Sequence, residues 1–244
     1  LIVSYFVKYN YHFNILLALK IHQYTNKGNR EENQDFVIHG SLPDNAAFFV
    51  LADGMGGYSD GAAASKVVSE AIYDFLDMNY QHYTPAELLK EAISFANDAL
   101  MLKRMAMAAQ KMGCVITVLL ISEGYAYLTW LGDSRIYMYR NGQEVYRTED
   151  HSVVNELAKI KTLRASSYEK YSSIVTKSIM GVETVDVAPV RKIEIETGDV
   201  FILCSDGFHK EIDMTKALCY DDSKKEELDA IANSISDNFS FFFN

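Results

Sequence analysis

The stretch that most constrains this chain is Ala46 to Gly57, AAFFVLADGMGG. The apolar run Ala46 to Ala52 suits one buried strand and delivers Asp53 into a turn built on Gly54, Gly56 and Gly57. Beyond Gly61, Ala64, Val67, Val68, Ala71, Ile72, Phe75 and Leu76 recur at helical spacing. A strand and a helix therefore meet at an acid that the turn puts on display. An Asp-Gly pair alone is an ordinary turn former, so its chemistry depends on whether other junctions in the chain repeat it.

With 244 residues, 49% of them hydrophobic, and only three prolines, the composition fits one domain with a large core rather than a string of linked modules. A net charge of -10 gives no basic footprint for nucleic acid or an anionic membrane, and it suits a site that gathers carboxylates around a cation. Cys114, Cys204 and Cys219 have no metal-ligand spacing and read as reduced, mostly buried thiols of a cytoplasmic protein. The apolar first twenty residues are interrupted by Lys8, Asn10, His12 and Asn14, against a membrane-spanning helix, and no small-residue cleavage site follows their short apolar centre. Residues 1–14 are taken as an N-terminal extension of unknown role and 15–244 as the single domain.

Along the chain, Leu16 to Tyr24 reads as a strand, a polar loop leads to Asp35, and Phe36 to His39 is extended. A long helix from Gly61 to about Asn79 precedes a second, which Thr84-Pro-Ala-Glu87 opens as a capping box with proline at the first helical position. Methionines between Met101 and Met112 are expected to fill core space. From Cys114 the pattern turns to strands: Cys114 to Ile121, Ala126 to Leu131, and a hairpin about Asn141-Gly142. Ser152 to Ile160 is helix-like, and Lys161 to Ser173, polar and without apolar period, reads as a mobile flap. Val187 to Glu196 and Val200 to Cys204 are strands, Lys224 to Ser236 a helix, and Phe239 to Phe243 a last strand.

Asp35, Asp53, Asp133, Asp206 and Asp237 all stand where an apolar strand begins or ends. Carboxylates that converge in a desolvated site repel by several kcal/mol, so a fold keeps them when cations neutralise them. All-oxygen donors without Cys or His pairs select Mg²⁺ or Mn²⁺ over zinc, and the set implies two metals.

Ordered motifs then resemble the metal-dependent serine/threonine protein phosphatases of type 2C, in their bacterial form. Arg30-Glu-Glu-Asn-Gln-Asp35, Ala52-Asp-Gly-Met-Gly-Gly57, Met112-Gly113, Leu131-Gly-Asp-Ser-Arg135, Cys204-Ser-Asp-Gly207 and Asp237-Asn-Phe-Ser240 follow that family's order from about Tyr24 to the C-terminus. The resemblance implies an α/β sandwich of two antiparallel sheets packed face to face with helices on both outer faces. It implies hydrolysis of phosphoserine and phosphothreonine by direct attack of a metal-bridging water. Asp53 bridges two Mn²⁺ or Mg²⁺ ions in that reading, with the Gly54 carbonyl, Asp206 and Asp237 as further ligands and Asp35 supporting through water. Asp133 with Asp206 serves a third, weaker metal, and Arg30 holds the phosphate. The partners are phosphorylated proteins, products of serine/threonine kinases, with no nucleic acid and no membrane, and the chain is expected to be a monomer.

The departures are Met55, where many eukaryotic members carry His, Cys114-Val115 in place of Thr-Thr, and Gln34 where Glu is frequent. Each pick also has a plainer reading: Arg30 as a solvated loop charge, Asp133 as a turn acid or a partner of Arg135. His151 reads as a structural hydrogen-bonding residue, and His12, His22, His39, His82 and His209 show no ligand spacing. The alternative function is a catalytically silent phosphoprotein-binding domain on the same fold. A nucleotide-binding module fits worse, because the glycine turn lacks both phosphate-loop and GxGxxG spacing.

Overall fold

The computed structural model describes residues 8–12, 15–28, 30–55, 60–109, 111–160, 171, 173–185, 190–210, 212, 214, 226 and 229. Among the described residues ten strands run in the order β1 (Lys8–His12), β2 (Ile15–Lys20), β3 (Asp35–Leu42), β4 (Ala46–Gly54), β5 (Cys114–Ser122), β6 (Tyr125–Leu131), β7 (Arg135–Arg140), β8 (Gln143–Arg147), β9 (Arg191–Glu194) and β10 (Val200–Cys204). The helices whose bounds lie among the described residues are α1 (Gly61–Asn79), α2 (Pro85–Met107), α3 (Val153–Ile160) and α4 (Asp206–His209). One antiparallel sheet has the order β3-β4-β5-β6-β9, a second β10-β7-β8, and β1 pairs with β2 alone.

β4 is buried on both faces, which is why its sequence is a continuous apolar run rather than an alternation. Phe49 and Leu51 point into a core shared with Ile136, Met138, Phe201 and Leu203 of the second sheet. Phe48, Val50 and Ala52 point the other way, against Val68, Ile72 and Leu76 of α1 and Leu89, Ile93 and Leu100 of α2. The period-2 geometry of one strand thus builds two cores.

α2 starts as its sequence predicts. Thr84 accepts the Glu87 N–H, and the Thr84 N–H donates to the Glu87 carboxylate at 3.2 Å. At its other end Ala108 takes a left-handed φ of 50° and its N–H donates to the Met105 carbonyl. Met112 is buried as expected, but Met105 is 72% exposed and Met107 is exposed too, on the solvent side of the last turns of α2 with Leu102. The hairpin about Asn141-Gly142 has positive φ at both residues, as a two-residue turn matched to strand twist requires.

The first expected strand is shorter than its sequence reading, ending at Lys20, and residues 8–12 of the extension pair with it. Asp199 is fully buried, and Arg140 grips it through two 2.8 Å bonds, tying β7 to the turn before β10. Of the expected C-terminal helix, Glu226 and Asp229 are helical, and Asp229 accepts hydrogen bonds from Tyr24 and Asn26. The rest of that helix, Cys219 and the strand Phe239 to Phe243 lie outside the described residues. No helix among the described residues is long and apolar enough to cross a membrane.

Phe49→Ala removes the ring that joins the two sheets and is expected to cost about 3–5 kcal/mol. Leu102→Ala, on the exposed side of α2, is expected to stay within about 0.5 kcal/mol. Urea denaturation of both variants beside the wild type checks the contrast.

Candidate active site

The strand register brings the acids together. Asp35 opens β3 and stands directly opposite Asp53 near the end of β4. Gln34 locks the junction from the main chain: its carbonyl accepts the Gly54 N–H at 2.9 Å and the Ser65 hydroxyl of α1 at 2.6 Å. Gly54 is obligatory here, because a Cβ would come within 2.4 Å of the carbonyl oxygens of both Gln34 and Gly61.

Asp133 follows β6 through Gly132, whose φ of 117° and contact with Val115, 2.2 Å from where a Cβ would stand, exclude other residues. His151 braces that turn: its Nδ1 accepts the Gly132 N–H, its own N–H donates to the Gly132 carbonyl, and its ring stacks on Trp130. It is the structural histidine its sequence context suggested. Arg135 does not pair with Asp133. It forms a planar fork with Asp150 at 2.6 and 2.7 Å and also donates to Tyr137.

Asp206 opens α4 directly after β10, with Lys210 one turn on. The Lys210 ammonium lies 2.6 Å from Asp206 Oδ2 and 4.0 Å from Asp133 Oδ2. His209 Nε2 is 2.9 Å from the Asp133 carbonyl oxygen. Asp35, Asp53, Asp133 and Asp206 thus meet at one cavity of about 540 Å³, which Arg30, Gln34, Met55 and Val115 also line. A second cavity of about 550 Å³, walled by Arg135, Arg147, Asp150 and Asn155, adjoins it and shares Asp133 and Lys210.

The electrostatics follow from burial and proximity. Burial, with the charges of Asp35 and Asp206, holds the Asp53 carboxyl well above the usual carboxylate range. Burial raises Asp35 as well, and burial with Asp206 pushes Asp133 up to about 6. Burial also works to raise Asp206, but Lys210 outweighs it and holds that carboxyl below its ordinary value. Burial pushes the Cys114 thiol upward, away from the thiolate a nucleophile needs.

Four carboxylates in one cavity, without thiol or imidazole donors among them, form the donor set that hard divalent cations prefer. Among the described residues no three acidic, cysteine or histidine side chains close on a single point. A metal held here would therefore draw further oxygens from main-chain carbonyls, from water or from residues beyond those described. Asp237, Gly56 and Gly57 lie outside the described residues, as does the expected flap apart from Tyr171 and Ser173. The chain on either side of those residues is tied together: Ser152 bridges Val175, Val153 N–H donates to the Ile174 carbonyl, and Thr176 N–H donates to the His151 carbonyl. Arg104 of α2 then holds the carbonyls of Met180 and Gly181.

Comparison with known proteins places this arrangement. A family model described as Protein phosphatase 2C matches residues 23–238. The chain belongs to the protein phosphatase 2C family. It is 30% identical over 182 residues to protein phosphatase PhpP of Streptococcus pneumoniae, covering 73% of this chain and 74% of that one. To serine/threonine protein phosphatase PstP of Mycobacterium tuberculosis it is 31% identical over 182 residues, 73% of this chain and 34% of that one. The crystal structure of the M. tuberculosis serine/threonine phosphatase PstP/Ppp superposes with a TM-score of 0.74 at 26% identity, over 88% of this chain and 93% of that one. A structure of the PstP catalytic domain in complex with two manganese ions shares the fold, with a TM-score of 0.71.

Within this 2C phosphatase, Met55 is a packing residue. Its N–H donates to the Gly113 carbonyl, and its side chain fills space that Gly113 leaves by lacking a Cβ, alongside Met180. Lys210 is the one charged residue of the cavity that sequence reasoning missed. The signal was its position four residues after Asp206, one helical turn, in Asp206-Gly-Phe-His-Lys210.

Asp53→Asn removes one of the mutually repelling acids. In metal-free, EDTA-treated protein at pH 7 it is expected to raise stability by about 1 kcal/mol or more, roughly 2–4 °C in melting temperature at this chain length. Differential scanning fluorimetry with and without EDTA checks it, and an unchanged or lower melting temperature contradicts the repulsion.

Proposed function

We propose that this 2C-family chain is a metal-dependent serine/threonine protein phosphatase, hydrolysing phosphoserine and phosphothreonine in proteins without a covalent enzyme intermediate. The observation that carries the reading is the meeting of Asp35, Asp53, Asp133 and Asp206 with Arg30 at one cavity. In this reading Asp53, the Gly54 carbonyl, Asp206 and Asp237 hold two Mn²⁺ or Mg²⁺ ions, and Asp35 supports them through water. Bound in this way, the two ions supply a water ionised near neutral pH and positive charge beside the phosphate.

The chain's own residues do the rest. Arg30 binds phosphate oxygens, since its planar fork donates two parallel hydrogen bonds and keeps its charge at any working pH. Main-chain bonds through Gln34 hold Asp53 and the Gly54 carbonyl in place before substrate arrives, so little reorganisation is left for the reaction. Met55 and Val115 give the cavity an apolar wall, which lowers the local dielectric and strengthens these interactions. Asp133 and Asp206 together face a third cation position.

The domain is read as residues 15–244, preceded by the extension 1–14, and working as a monomer in the cytoplasm on the products of serine/threonine kinases. The flap at 161–173 is read as helping to choose among them. A silent phosphoprotein-binding domain is the weaker reading, because all four described acids and the arginine stand at one cavity, where a decayed site would have lost some of them.

Phosphate release from a phosphothreonine peptide is expected with Mn²⁺, to be lost with EDTA, and to be lost in Asp53→Asn. Arg30→Ala is expected to lower kcat/KM about 10- to 100-fold, the worth of charged hydrogen bonds to one phosphate. Binding of Mn²⁺ without turnover by the wild type supports the silent domain instead.

A further inference from the structure

We infer that Lys210 supplies the third cation of this site from within the chain, so that Asp133 and Asp206 hold its ammonium where a third divalent ion would otherwise bind. The inference rests on the two-metal reading above and limits it: the acids fit two divalent ions and do not fit a third.

Of the two carboxylates proposed for that position, Asp206 is already hydrogen-bonded to Lys210 and Asp133 lies at ion-pair distance from it. Lys210 Nζ donates to Asp206 Oδ2 at 2.6 Å and lies 4.0 Å from Asp133 Oδ2, so one ammonium stands between both groups. Helical spacing produces this: Asp206 is the first residue of α4, and Lys210 follows one turn later, on the same side. The contact uses one carboxylate oxygen of Asp206 and leaves Oδ1 outside the pair, for one of the two proposed divalent ions. Among the described residues Lys210 is the cation paired with Asp133, since Arg135 is committed to Asp150 through both sides of its fork.

Charge then decides the occupancy. Two carboxylates with one ammonium carry a single net negative charge, too little to draw a divalent ion against the repulsion of a neighbouring positive group. A compact ammonium with three donors can serve both acids at once, as a small cation would. Lys210 acts here as a positioning residue: it neutralises and orients Asp206 and Asp133 without touching the substrate.

The test counts ions rather than turnover. Wild type, Lys210→Arg, Lys210→Gln and Lys210→Asp are titrated with Mn²⁺, the free ion is followed by electron paramagnetic resonance, and folding is checked by circular dichroism. Wild type and Lys210→Arg are expected to saturate at two Mn²⁺ per chain. Lys210→Gln and Lys210→Asp are expected to saturate at three, the extra ion disappearing again when Asp133→Asn is added. Either neutral or acidic variant suffices if the other fails to fold. Three ions on the wild type overturn this inference alone, as do two on every folded variant. A wild type that takes no Mn²⁺ overturns the two-metal reading itself.

Discussion

Asp35 and Asp53 face each other because the register of two antiparallel strands leaves them no other place. Everything around the cavity answers the repulsion this creates. Burial makes the pair costly to ionise, and the pressure is graded: on the Asp206 side Lys210 relieves it, while on the Asp35 and Asp53 side the carboxyls are held high. Such an arrangement would be a defect in a purely structural core, where isosteric apolar residues do better than buried charges. In the proposed two-metal reading, the same repulsion becomes affinity for cations at the edge of the sandwich where the acids meet.

The rigidity of that edge comes from main-chain contacts rather than from the acids themselves. Gln34 gathers the start of β3, the end of β4 and the first turn of α1 through its carbonyl. Gly54 and Gly132 let backbones approach where any side chain would collide. The acids can therefore be pushed together because the strands carrying them cannot relax apart. The two cores on either side of β4 resist the same relaxation, since Phe48 and Phe49 anchor opposite faces.

Much of this was legible in the sequence because the features were periodic or local. The apolar run of β4, the Thr84 capping box and the Asn141-Gly142 turn each carry their signal within a few residues, and each forms as read. The convergence of Asp35, Asp53, Asp133 and Asp206 was legible only as a repeated strand-to-acid junction together with a family resemblance, since no local pattern says which strand ends meet. What was missed was non-local or depended on side-chain reach. The Arg135 fork goes to Asp150, fifteen positions on, rather than to its neighbour Asp133. Met105 and Met107 follow an apolar composition but stand exposed, since composition alone does not say which side of a helix faces the core. The offset of Lys210 from Asp206 carries meaning only on a helix, and so depends on α4 starting at Asp206.

The braced stem between His151 and Thr176 separates two problems that enzymes often have to solve together. Its ends are stapled to each other, and its return path is held to α2 by Arg104 and Asn97. Chain inserted beyond such a staple adds closure entropy slowly, about 0.6 kcal/mol for each doubling of length. The segment between can thus lengthen, shorten or change composition while the carboxylates keep their register. On the proposed reading that this segment helps to choose substrates, preference is free to drift in evolution on one side of the staple while the carboxylates on the other stay where the strands put them.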